Sequence, residues 1–500
     1  MNARRLFIAS CIALITSAFS FQVRQNIADP LAADFSLTKQ EVGQVMGAAF
    51  LGMAVAMVLV APLCDFLGMG TVLFLAWMCH LTGILGTIFA PEVRQQLFPG
   101  GGSDASYWIL WTATLLVGCG NGLVEIAINP LAATLFPREK THYLNVLHAW
   151  WPGGLIMSGL LIIFFMDSPW VTSRVQELWP SAHGLSWKLK MGMLLVPLAI
   201  YGLMAVGQRF PATERVQANV STGEMFLQVL RPMFLLWAFC MLLTASTELG
   251  PNQWQESVLT RTAHVSGTMI FVYTSGLMFV MRFFAGPLAH RLSPVGMLTV
   301  SALLAAVGLY WLSYVNNGVM AFAAATVFGV GIAYFWPTML GVTAERFPKG
   351  GALLLGLMGS VGNLAIFALL PQMGAIYDSY TVANIPPKLQ GEMVRGPDGK
   401  EIPIIREEPP SWLPSIVTER IFPAGTKKLN PDAEKLLEGP ARTQVDEASA
   451  VGARYAFRWV AVLPCVLIVI FGLIAITDRL RGGYRAVHIS EGASREPPRA

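Results

Sequence analysis

The chain has 500 residues, 54% of them apolar and only 13% charged, with a net charge of +4. A water-soluble domain carries about 25% charged residues, so the composition excludes an ordinary soluble enzyme or binding module and points to the bilayer. The 34 basic and 30 acidic residues form no basic run with interleaved aromatics, so no nucleic-acid footprint is present.

Twelve apolar runs of membrane-crossing length follow one another, near 5–24, 43–63, 71–90, 107–135, 146–166, 190–207, 232–250, 265–287, 296–314, 319–342, 352–375 and 456–477. The first follows Arg4 and Arg5 without an A-x-A-like cleavage site and is read as a membrane helix, not a signal peptide. The expected class is an all-α integral membrane protein. Placing both termini in the cytoplasm puts fifteen Lys and Arg residues on inner segments against seven on short outer loops, as the positive-inside rule asks. A long segment, about 377–452, then lies outside. It is rich in Pro, Lys, Glu and Asp, which predicts little buried apolar surface and a solvated excursion, with a lid over the outer mouth as the sharper alternative. Short pieces such as Pro431–Leu437 are expected to be helical. The six cysteines (Cys11, Cys64, Cys79, Cys119, Cys240, Cys465) sit in or beside apolar runs without a CxxC pair. They read as small buried hydrophobes, with no metal site or disulfide framework.

The two halves echo each other. Ala61-Pro62-Leu63-Cys64-Asp65-Phe66-Leu67-Gly68 follows the second run, and Gly286-Pro287-Leu288-Ala289-His290-Arg291-Leu292-Ser293 follows the eighth, 225 residues later. Gly118-Cys119-Gly120-Asn121-Gly122 leads to Asn129-Pro130 in the fourth run, as Gly329-Val330-Gly331 leads to Trp336-Pro337 in the tenth. Such repetition predicts two six-helix pseudo-repeats with a binding site between them. The expected division is 1–207 for one half, 208–228 for a cytoplasmic linker and 229–500 for the other half, whose cytoplasmic tail is 478–500.

At these residues the chain resembles the major facilitator superfamily. The stretch around Asp65 and Gly68 is similar to the family's loop signature, although Phe66 and Met69 stand where basic residues are usual. Gly118 to Pro130 with Leu144-Asn145-Val146-Leu147-His148, Thr247-Glu248-Leu249-Gly250 with Trp254, and Arg282-Phe283-Phe284-Ala285-Gly286 resemble the fucose–proton symporter and glucose/galactose transporter branch. The resemblance implies a proton-coupling role for Glu125. The branch's acidic residue on the first span has no clear counterpart among Gln22, Arg24, Gln25 and Asn26, and Asp29 lies only near the outer end.

The residues themselves also nominate a site. Glu125 stands near mid-membrane depth, where an ionisable group costs about 2.5–3.5 kcal/mol on insertion scales. It is either a proton carrier or a carboxyl held by permanent hydrogen bonds. Glu248 stands beside Gly250-Pro251, where proline predicts a broken helix lined by Asn252, Gln253 and Trp254, or else a helix end at the interface. Glu125 and Glu248 form the proton-coupling pair. Amides and aromatics suit a sugar's hydroxyls and apolar face, and nominate Gln22, Asn26, Asn121, Asn129, His148, Trp151, Gln253, Trp254, Trp336 and Asn363 as substrate-binding. Asp65, Gly68, Arg282 and Arg291 read as gate or loop residues near the inner ends. Arg24 either pairs with an acid or reaches the outer surface.

The combined expectation is a secondary active transporter importing a sugar or related neutral solute with a proton, less readily a sodium ion, by alternating access. It would act as a monomer in a bacterial-type inner membrane, without cofactor. The alternatives are a proton-driven exporter of an amphipathic compound and a non-transporting receptor or scaffold. No phosphate-cradling GxxxxGK[ST] and no nucleophile–base constellation appears, so an ATP-driven pump or an enzyme is not expected.

Overall fold

The computed structural model describes residues 2–487 except 36, 38, 98–102, 137–139, 179–184, 218–220, 397–398, 408–421 and 426. Twelve helical spans cross the molecule. In the first half they are span 1 (Ala3–Phe35), span 2 (Lys39–Val60, extended by Ala61–Leu63 and Cys64–Leu67), span 3 (Met69–Ile88), span 4 (Ser103–Leu135), span 5 (Lys140–Leu161) and span 6 (Leu185–Gly192 with Leu195–Ala205). In the second half they are span 7 (Pro232–Ala263), span 8 (Gly267–Phe283), span 9 (Pro294–Leu312), span 10 (Gly318–Ile332 with Phe335–Arg346), span 11 (Gly351–Asn384) and span 12 (Gly439–Val460 with Val462–Leu480). Helix is the form these runs take because lipid offers backbone groups no hydrogen-bond partners. Span 1 begins and span 12 ends at one face, here the terminal face.

Each half has its own buried core. Within the first half, spans 2 and 4 approach so closely that a Cβ on Gly118 would lie 2.0 Å from the Ala49 carbonyl oxygen. Spans 9 and 10 do the same in the second half, where a Cβ on Gly331 would lie 2.3 Å from the Ala305 nitrogen. Small residues permit this packing where no hydrophobic force draws helices together. The halves meet through spans 2 and 11 and through spans 5 and 8. The Ser360 hydroxyl donates to the Ala54 carbonyl at 3.1 Å. Ala352, at the start of span 11, is buried in the first half's core, so the halves are also in contact at the terminal face.

The repeat is visible in the backbone. Gly68, before span 3, has φ 81° and ψ 141°, and Ser293, 225 residues on and before span 9, has φ 63° and ψ 159°. Glycine adopts that conformation freely and serine under strain. Ser293 compensates by accepting a hydrogen bond from the Gly296 N–H at 3.2 Å.

Two expectations are corrected here. Span 7 runs unbroken through Pro251; of the spans beside the central site, span 10 is interrupted, between Ile332 and Phe335. The 377–452 segment is also not a merely solvated excursion. Span 11 continues to Asn384 and span 12 starts at Gly439, and between them lies a small folded cap. Its strands β1 (Met393–Arg395) and β2 (Glu401–Pro403) pair antiparallel, as do β3 (Ile405–Glu407) and β4 (Lys427–Leu429). Ile385, Leu389, Ile404, Leu429, Ala433 and Leu437 bury one another against Val445 and Ala448 of span 12. Pro431–Leu436 is helical. The Arg261 guanidinium of span 7 pairs with Glu434 of the cap at 3.1 Å and Asp446 of span 12 at 3.8 Å. The composition concealed this core because its apolar residues are few and scattered among charges and prolines, and derive part of their burial from span 12.

Candidate functional site

Prolines inside membrane helices set the geometry. Proline lacks an N–H, so the carbonyl four residues earlier loses its helical partner and must find another donor. Pro337 thereby frees the Ala333 carbonyl in span 10, and Pro152 frees the His148 carbonyl in span 5. Arg282, on span 8, takes both: Nε donates to Ala333 O at 2.8 Å and Nη1 to His148 O at 2.8 Å. One side chain of the second half thus holds a proline-freed carbonyl in each half. Its Nη2 lies 3.6 Å from Glu248 Oε1 on span 7. Pro130 frees Ile126 O in span 4 in the same way, and the Cys64 thiol donates there at 3.8 Å.

Behind the His148 carbonyl is a polar relay. Asn129 Nδ2 donates to Glu125 Oε2 at 2.7 Å, and Asn129 Oδ1 faces His148 Nε2 at 2.9 Å. His148 Nε2 lies 3.8 Å from Glu125 Oε2. All three side chains are buried. Asn129 therefore joins the carboxyl to the imidazole and does not mend the Pro130 kink.

These groups border a central cavity of about 40 Å³, room for a few waters and less than a sugar-sized solute needs. The first half contributes Phe21 and Arg24 from span 1, Phe50 and Met53 from span 2, Asn121 and Glu125 from span 4, and His148 and Trp151 from span 5. The second half contributes Glu248 and Leu249, Arg282, Trp336 and Asn363. Phe21 packs edge-on to Phe50 and Trp151, with ring centroids 5.9 and 5.7 Å apart. Asn363 Nδ2 donates to Gly359 O at 2.8 Å. A smaller second cavity, bordered by Asn129, Glu125 and Trp336, extends between span 4 and the terminal-face portions of spans 10 and 11.

The cavity thus brings together Glu125, Glu248, Asn121, His148, Trp151, Trp336 and Asn363. Gln22 is buried on span 1 outside the lining, and Asn26 receives a 2.6 Å hydrogen bond from Lys190. Gln253 and Trp254 also stand apart, Trp254 stacking on Tyr377 with centroids 6.0 Å apart. Asp65 accepts a hydrogen bond from Thr213 of the linker, and Arg291 is exposed near the terminal face. Arg282 is a correction: it is 2% exposed and faces the cavity, because two freed carbonyls and Glu248 give its guanidinium a home at depth. Sequence reasoning missed His80 of span 3, whose Nε2 faces Asn121 Oδ1 at 2.9 Å and whose Nδ1 faces the Tyr201 hydroxyl at 3.3 Å. A histidine inside an apolar run was the available signal. It also left Arg24, Phe21, Phe50 and Met53 out of the site.

Two pseudo-symmetric bundles around one central polar cavity define a membrane transporter. A family model described as Major Facilitator Superfamily matches residues 6–369, and the chain belongs to that family. The cis,cis-muconate transport protein of Acinetobacter baylyi is 22% identical over 74% of this chain and 88% of its own. Among solved structures, the E. coli fucose:proton symporter FucP aligns with a TM-score of 0.53 at 15% identity, over 91% of this chain and 98% of that one. An inward-facing bacterial homologue of the human lysosomal transporter Spinster aligns at 0.64 and 14% identity, over 96% and 98%. At such identities the two structural likenesses speak to the fold.

Proposed function

We propose that this transporter is a proton-coupled symporter importing a small hydroxylated solute of sugar type by alternating access. The observation that carries the reading is the hydrogen-bond chain from Glu125 through Asn129 to the His148 imidazole, with Arg282 held on the backbone carbonyl of the same His148 and 3.6 Å from Glu248. It sets a carboxyl able to take a proton beside a guanidinium that bonds both halves. Protonation of Glu125 changes the charge facing Arg282, and Arg282's grip on His148 is a contact between the halves. Loading a proton and loosening the halves are therefore linked. Asn121, Asn363, Trp151 and Trp336 supply the amides and ring faces that a sugar frame uses. The basic-residue distribution supports cytoplasmic termini, and the reading places the protein in a bacterial-type inner membrane. The relatives include a fucose:proton symporter and a muconate transport protein, so the charge of the solute is left to the residues of the cavity.

The test is uptake by proteoliposomes from a panel of labelled sugars and sugar acids, with and without an imposed pH gradient. Glu125→Gln, which mimics the protonated carboxyl, is expected to keep solute exchange and lose gradient-driven accumulation. Accumulation by Glu125→Gln that still follows the pH gradient removes Glu125 from coupling and overturns the reading.

A further inference from the structure

We infer that Arg24 is an anion-binding group and that the transported solute is a hydroxylated carboxylate, of aldonate or uronate type. This deepens the transport reading above and rests on it. Arg24 borders the central cavity and is 7% exposed. Its Nε donates to the Ser20 carbonyl of its own helix at 2.8 Å, while Nη1 is buried without a partner. Among the described residues no carboxylate pairs with it. Arginine does not give up its proton, and a cation at this depth is costly without a counter-charge. Burial rules out the bland role of reaching for the membrane surface.

The other cations and carboxyls in the cavity each have a partner, although the Oε2 of Glu248 is buried without one. Arg282 has two carbonyls and Glu248, and Glu125 has Asn129. Arg24 is the cation left facing open space, and a guanidinium fork fits a carboxylate. Asn121, Asn363 and the rings of Trp151 and Trp336 also border that space and suit the hydroxyls and carbon frame.

Charge balance ties this to coupling. Arg24 and Arg282 face Glu125 and Glu248. While Glu125 holds a proton the cavity carries one net positive charge, which a monocarboxylate cancels. When Glu125 releases the proton, the cavity balances without the anion, and the solute loses its hold. One proton and one monoanion cross together, so transport is electroneutral.

The test uses purified full-length protein with D-gluconate, D-glucuronate, D-glucose and cis,cis-muconate as binding probes. At least one sugar acid is expected to bind tenfold or more tightly than D-glucose. Arg24→Gln is expected to weaken it at least tenfold, and Arg24→Lys, which keeps charge but not the fork, by less. In proteoliposomes, wild-type uptake of that acid should follow an imposed pH gradient and ignore a potassium diffusion potential. Glucose binding as tight as the acids, acid binding unchanged in Arg24→Gln, or uptake driven by the potential overturns the inference. Muconate binding above both sugar acids overturns the hydroxylated class. Should Arg24→Gln fail to give monodisperse protein, the wild-type electrical measurement decides. Arg24-dependent acid binding without proton-driven uptake sinks the coupling reading and the charge-balance cycle but leaves Arg24 as the anion-binding group; proton-driven glucose uptake keeps the coupling reading and overturns the anion assignment.

Discussion

The guanidinium of Arg282 donates a 2.8 Å hydrogen bond to the backbone carbonyl of His148, across the boundary between the halves. That carbonyl is free because Pro152 stands four residues later. Arg282→Gln should leave Ala333 O or His148 O without a donor. A buried unsatisfied group costs about 1–3 kcal/mol, so thermal unfolding in detergent should move down by several degrees. Arg282→Lys should fall between, since an ammonium lacks the fork that reaches two carbonyls on different helices. Equal stability of all three proteins would show that the carbonyls find other donors.

Asn129 separates a working relay from a passive one. Asn129→Leu removes the link between Glu125 and His148 while keeping a side chain of similar size. Proton-driven accumulation is expected to drop at least tenfold while exchange at equal pH persists. Loss of both in parallel with lost protein would mark Asn129 as structural.

Gly118→Ala inserts a methyl group where the Ala49 carbonyl oxygen lies 2.0 Å away. Backbone cannot yield as a side-chain tip does. Overpacking costs about 1–3 kcal/mol or more, and the yield of folded protein by fluorescence-detected gel filtration should drop sharply. A matched Gly472→Ala on span 12, where an added Cβ meets nothing within 4 Å, should be silent.

Ser293→Gly should stabilise the protein. The serine backbone stands at φ 63°, a conformation costing about 1–3 kcal/mol outside glycine, whereas replacing a serine helix cap by glycine costs only a few tenths. A rise in the unfolding temperature is expected. A fall would mean that the Gly296 bond outweighs the backbone strain.

Orientation is checked by single cysteines in a cysteine-free background. Lys400→Cys, in the cap, should be labelled by an impermeant maleimide on intact cells, and Arg485→Cys, beyond span 12, only after permeabilisation. The reverse pattern overturns the cytoplasmic placement of the termini.

Much of the architecture was legible because lipid imposes long apolar runs, and twelve of them read directly as twelve spans. Glu125 was legible for the same reason: a lone carboxyl inside such a run is conspicuous. The depth of Arg282 was misjudged because its position near the end of span 8 suggested a place at the inner end, whereas its surroundings are set by carbonyls 134 and 51 residues away in sequence. Pro152 and Pro337 were visible, but which donor answers a freed carbonyl is a matter of packing between helices. Pro251 shows the limit of the same argument, since span 7 stays whole around it. Gln22 and Asn26 looked like ligands by type, but Asn26 stands about half a turn of helix, two residues, from Arg24, away from the cavity-facing side where Arg24 and Phe21 stand.

The cap is tied through Arg261, Glu434 and Arg442 to spans 7 and 12, and through the Ser379 hydroxyl, which accepts a hydrogen bond from Ala424 N–H, to span 11. Every one of these anchors belongs to the second half. The cap is thus carried wholly by the second half, so the alternating-access cycle proposed above moves it with that half and leaves the first half free of it.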